Sequence, residues 1–159
     1  MGSYNLLTLL ASIISAIVGV AFVVVGIKTY KGQMNAQIFS DFNQRYDDIA
    51  KDFPKEAWEA RFKLDTILPP ASEELTLCVL RYLNLSSEEF YLYHRKYIRK
   101  DVWKMWELEM VRTLRSPLFR REWKTLSAEF VNSYREFFDY VEEVQKQNEI
   151  KVAELERQQ

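Results

Sequence analysis

The run Leu6–Ile27 is twenty-two residues, LLTLLASIISAIVGVAFVVVGI, without one charged side chain. Every Asp, Glu, Lys and Arg of the 159-residue chain follows it. As a helix rising about 1.5 Å per residue it measures roughly 33 Å, enough to cross a hydrocarbon core of about 30 Å. Backbone amides find no water in lipid, so a helix is the form in which such a segment crosses. The run predicts one transmembrane helix, with the lipid bilayer as a first partner. About 125 residues are left for a soluble part, sufficient to bury a core.

A secretory signal opens on basic residues and carries an apolar run of about 7–15 residues. Met1–Asn5 has no basic side chain and this run is longer, so the expectation is a retained anchor. The myristoylation pattern fails, because Leu6 stands where Ser or Thr is required. Lys28 and Lys31 follow the run at once. The positive-inside rule therefore places the C-terminal part in the cytoplasm and the N-terminus outside. Ala11, Ser15 and Gly19 are spaced by four, Ser12 and Ala16 lie beside them, and Gly26 falls seven beyond Gly19. Small residues at this spacing let two helix backbones approach closely in lipid, which points to self-association or to a partner's span.

Tyr30, Met34, Ile38, Phe42, Tyr46 and Ile49 continue at helical spacing. The first helix is therefore expected to run on as a stalk to about Ala50. Phe53-Pro54 ends it, since the residue before proline avoids helical geometry. Pro54 then opens a helix carrying Trp58, Phe62 and Leu64, which Pro69-Pro70 breaks. Ser72 caps a helix with Leu75, Val79 and Tyr82. Ser86 with Glu89 forms a capping-box pattern before Phe90, Tyr91 and Tyr93. Asp101 is a cap for 102–114, and Ser116-Pro117 is an N-cap followed by proline at the first helical position. A last helix starts near Ser133. No period-two strand is visible. The fold expected is all-α: a transmembrane helix and stalk (1–27 and 28–52), a compact helical domain (53–140) and a polar helical tail (141–159).

Aromatic residues make up 14% of the chain, and Trp58, Phe62, Phe90, Trp103, Trp106, Phe119, Trp123, Phe130, Phe137 and Phe138 fall at helical spacings. A core reading outranks a cofactor box, because helical bundles bury such stripes routinely. The tail has only a thin stripe, Val141, Val144, Asn148 and Leu155, and reads as a solvated helix.

The residues offer no catalytic signature. Cys78 stands alone in an apolar row and reads as a small buried side chain; no disulfide can form within the sequence, which fits a reducing compartment. His94 is the single histidine. One Cys and one His do not make a zinc set, no Glu-x-x-His pair supports a di-iron site, and four glycines form no phosphate-binding loop. No cofactor and no metal are expected. A hydrolase would need a closed pocket joining His94 to a hydroxyl and a carboxylate.

Charge is segregated. Tyr91–Lys124 carries 10 basic and 4 acidic side chains, between acidic flanks. Arg95, Lys96, Arg99, Lys100, Lys104, Arg112, Arg115, Arg120 and Arg121 form the candidate surface for an anionic partner. Pairing within the fold comes first as an explanation and an acidic protein partner second. Nucleic acid ranks third, because Glu107, Glu109 and Glu122 interrupt the run.

At NLSSEEFYLYHRKYI, VWKMWELEM and SPLFRREW, across Asn84–Trp123, the chain resembles a group of small uncharacterised bacterial proteins with one N-terminal span and a helical cytosolic domain. In these, an acidic-aromatic turn precedes Trp-rich helices and a Ser-Pro helix start. The resemblance implies a membrane-anchored helical module of the bacterial inner membrane. It brings no activity and no site residue. The function expected is an accessory or scaffold subunit of a membrane protein complex. The alternative is a membrane-tethered sensor or effector that binds nucleic acid or an anionic ligand through 95–121.

Overall fold

The computed structural model describes residues 2–61 and 67–156. Among them there are six helices and no strand: α1 (Gly2–Asp52), α2 (Lys55–Ala60), α3 (Glu73–His94), α4 (Lys100–Leu114), α5 (Pro117–Ser133) and α6 (Arg135–Glu156). The all-α fold is as the sequence predicts. α1 is one uninterrupted helix, and it is long and apolar enough to cross a membrane. The chain divides into two compact units, Met1–Phe39 and Ser40–Gln159.

In the first unit, the large apolar side chains from Leu7 to Ile27 are exposed. A soluble core helix would bury half its surface; here, among the described residues, nothing covers this apolar stretch.

The second unit is built from the last turns of α1 with α2–α6. Phe42, Ile49 and Phe53 are buried, Phe42 stacks on Trp106 of α4 at 5.5 Å, and Phe53 stacks on Phe119 of α5 at 6.3 Å. Arg45 forks onto Glu88 of α3 at 2.6 and 2.9 Å, and Arg81 pairs with Asp52. The Cys78 thiol, buried as expected, donates to the Asp52 carbonyl at 3.3 Å. Burial raises its pKa, which fits a packing role.

Two predicted caps form. Ser72 accepts from the Leu75 amide at 3.2 Å, and Ser116 from the Phe119 amide at 3.3 Å, with Pro117 at the first helical position. Two others do not. α3 passes straight through Ser86 and Glu89, which are buried in mid-helix. The pattern misleads because Leu83, Leu85 and Phe90 keep the helix packed on both sides of it, and no Gly or Pro breaks it. Ser87 donates back to the Asn84 carbonyl at 2.7 Å rather than capping a new start. At α4 the N-cap is Arg99; Asp101 lies in the first turn and is gripped by the Arg99 guanidinium at 2.7 Å.

α2 begins after Pro54 and carries Trp58; Phe62 and Leu64 lie outside the described residues. The break between α3 and α4 is made without glycine. Lys96 takes a left-handed conformation (φ 60°), its amide bonds Tyr93 O at 2.8 Å and the Tyr97 amide bonds Leu92 O at 2.9 Å. These two bonds satisfy the last carbonyls of α3 in a Schellman turn.

α5 and α6 run antiparallel, since contacts climb one helix while descending the other. Phe130 meets Phe137 at 5.9 Å, Trp123 meets Phe138 at 5.7 Å, and the Trp123 indole donates to Glu142 at 2.6 Å. The tail is not a solvated helix over its first part: Val141 and Val144 are buried, and Gln145 donates to Leu114 O at 3.4 Å. Thin as the stripe is, α6 reaches the core because Phe137 and Tyr140 precede it and pack on Phe90. The side chains of Asn148 and Leu155 lie outside the described residues.

Candidate interaction surfaces

On α1, Ala11, Ser12, Ser15, Ala16, Gly19 and Gly26 are all exposed. The Ser12 hydroxyl turns back to Thr8 O at 2.9 Å, so its polarity is satisfied within the helix. A Cβ built on Gly19 or Gly26 would meet nothing within 4 Å. The face is open, and a second helix laid on it would reach bare backbone.

The basic segment separates into four groups. Arg121 is half-buried and engaged within the fold: it bonds Pro69 O at 2.6 Å and Glu122 at 2.7 Å, and Glu122 in turn accepts from Thr76 at 2.8 Å. Arg99, Arg112 and Arg115 make local links, Arg99 to Asp101, Arg112 to Glu109 at 4.0 Å and Arg115 to Gln147 of α6 at 3.5 Å. Arg120 is half-buried on α5. Arg95, Lys96, Lys100 and Lys104 are exposed, with Arg95 over the Tyr91 ring at 5.4 Å. The nine cations are therefore not one surface.

A cleft of about 300 Å³ opens between the end of α3 and the α5–α6 junction. Phe90 and Phe137 lie in its wall, Ser87, Tyr91 and Tyr134 add hydroxyls, and Arg95 and Arg135 bring positive charge. Glu136 shares the lining, and Arg135 is paired with Asp139 at 3.1 Å, so the cleft is close to neutral. A pocket of this size fits a small ligand. A second cleft, lined by Arg45, Arg81 and Glu88, holds the ion pairs that fasten α1 to α3.

His94 does not face either cleft. Its ring stacks on Phe90 at 3.9 Å, and Nδ1 donates to Phe90 O at 2.9 Å, which assigns the proton to Nδ1. Among the described residues no group of three or more His, Cys, Asp and Glu is placed to hold a metal ion.

One constellation has no signal in the sequence. The Arg61 side chain is fully buried. Its guanidinium lies 4.2 Å from the Trp58 ring centre, 5.4 Å from Tyr46 and 5.6 Å from Tyr82. It also donates to the Tyr46 hydroxyl and to Glu109 at 2.7 Å. One cation thus links α1, α2, α3 and α4. Arg suits this post because its flat, weakly hydrated head stacks and hydrogen-bonds at once.

Glu89 is a second buried charge-bearing group. It is 8% exposed, beside Glu88 and Arg45. Burial pushes its pKa up to about 8; Arg45 works against that and Glu88 adds to it. Arg45 spends its hydrogen bonds on Glu88, and burial favours the protonated form of Glu89. No protein-family model matches the chain, and no curated protein or solved structure does.

Proposed function

We propose that this protein is a membrane-anchored interaction module that serves as an accessory or scaffold subunit of a membrane protein complex. The observation that carries this reading is α1, whose uncharged stretch keeps its apolar side chains exposed from Leu7 to Ile27. Apolar surface on that scale is stable only in lipid or against another protein. Lys28 and Lys31 orient the helix with the C-terminal part in the cytoplasm. The open face at Gly19 and Gly26 supports helix–helix contact, with a second copy or with a partner's span.

Purification of the full chain in mild detergent tests the role. Defined co-purifying subunits or a fixed oligomer are expected, and Gly19→Leu should weaken the assembly. A lone monomer at physiological levels overturns it.

A second reading, a membrane-tethered sensor of a small anionic ligand, rests on Arg95, an exposed cation in the lining of the cleft of about 300 Å³. That reading predicts saturable binding weakened at least about tenfold by Arg95→Glu, as loss of a charge-assisted contact would do.

A further inference from the structure

We infer that the cleft between the end of α3 and the α5–α6 junction binds a zwitterion, a free α-amino acid with an aromatic side chain. The cleft holds one cation and one anion that nothing else uses. Arg95 closes the C-terminal end of α3 and Glu136 lies in the first turn of α6, both exposed and both in the lining. The Arg95 guanidinium rests over the Tyr91 ring, and among the described residues neither Arg95 nor Glu136 has an ion-pair or side-chain hydrogen-bond partner. Each stays unpaired although the opposite charge lines the same cleft. The remaining charge there, Arg135, is spent on Asp139 at 3.1 Å. Polar groups of the α5–α6 junction are unspent too. The Asn132 amide and the Ser133 and Tyr134 hydroxyls make no side-chain hydrogen bond among the described residues, whereas the Ser87 hydroxyl is given to Asn84 O.

Two unlike charges, each set at a helix end and free of the other, match a ligand that brings both. A plain anion is attracted by Arg95 and repelled by Glu136, a plain cation the reverse, and a zwitterion satisfies the two together. Between the charges the wall is apolar: Phe90 and Phe137 form it, and Tyr91 and Tyr134, 49% and 43% exposed, flank it. Such a wall takes a ring edge-on or in offset stacking. The volume of about 300 Å³ lies at the lower limit of ligand pockets, which suits one amino acid rather than a nucleotide or a peptide. The inference rests on the second reading above, in which Arg95 holds an anionic group, and adds to it the ammonium and the ring.

The test titrates the full chain in phosphatidylcholine nanodiscs with L-phenylalanine near neutral pH. Empty nanodiscs serve as the blank, and broadening of the ligand's NMR signals is the readout. Binding should saturate, with a Kd of about 1 mM or less. 3-Phenylpropionate lacks the ammonium, phenethylamine the carboxylate and alanine the ring. Each should bind at least about tenfold more weakly, as loss of a charge-assisted contact or of a buried ring does. Arg95→Gln and Glu136→Gln should each weaken phenylalanine by a similar factor, while Lys104→Gln, an exposed cation of α4 outside the cleft, leaves it unchanged. Both substituted side chains are exposed, and the comparison among ligands needs no variant at all. Phenylalanine binding that is indifferent to Glu136→Gln, or matched by alanine, overturns the inference. Phenylpropionate bound as tightly as phenylalanine, and lost in Arg95→Gln, defeats the zwitterion and leaves the anionic-ligand reading standing. No Arg95-dependent binding of phenylalanine, phenylpropionate or inorganic phosphate defeats both.

Discussion

Glu89 places an acid where the fold favours its neutral form, and the consequence is a pH dependence of known sign. Its pKa in the folded chain is about 8, above the ordinary carboxyl value. Between the two values the unfolded chain has released a proton that the folded chain still holds. Stability must therefore fall as pH rises from about 5 to about 8, and level off beyond. Glu89→Gln should match the parent near pH 5 and exceed it by about 4 kcal/mol at pH 8.5, in denaturant titrations across that range. A gap of equal size at every pH would mean that the substitution acts through packing instead. Neither Glu89 nor Arg61 was legible in the sequence as a buried group. Glu89 sat in a pattern that reads as a capping box, and the partners of Arg61 are Tyr46, Trp58, Tyr82 and Glu109, joined by tertiary contact and by no period.

Elements were more legible than residues, for a physical reason. Ser72 and Ser116-Pro117 act through bonds three residues long, so their effect is written locally. Whether Ser86 starts a helix depends instead on what packs around Leu83 and Phe90, which no local rule contains. The basic segment failed as one surface on the same ground: Lys104 stands exposed on α4, while Arg121 on α5 is drawn to the Pro69 carbonyl and to Glu122. The α3–α4 connection lacks the glycine that usually marks it. Lys96 holds the left-handed conformation at a cost that glycine avoids. Lys96→Gly should stabilise the chain by about 0.5–1 kcal/mol, measured as a raised unfolding midpoint, and Lys96→Ala should give no such gain.

At the scale of the whole molecule, the apolar run made the first helix legible, including its continuation past Ile27. Periodicity placed Phe42 and Ile49 on one stripe but did not say what covers it; the structure shows α4 over Phe42 through Trp106. The division of the chain after Phe39 yields a prediction. A fragment beginning at Ser40 should unfold cooperatively with helical circular dichroism. One beginning at Pro54 should lose cooperativity, because it lacks Phe42, Ile49 and Phe53, each worth roughly 1.5–3 kcal/mol when buried. Equal melting of the two fragments would show those turns of α1 to be dispensable.

The order of synthesis gives this arrangement a further meaning. The last turns of α1 leave the ribosome early, yet Phe42 waits for Trp106 and Phe53 for Phe119. Until α4 and α5 have emerged, Phe42 lacks Trp106 and Phe53 has only Trp58 of α2 against it, and the nascent chain presents a sticky helix end beside an already apolar segment. Biogenesis of this protein therefore contains a waiting period, and a chaperone or the insertion machinery has a defined segment, 40–53, to shield during it.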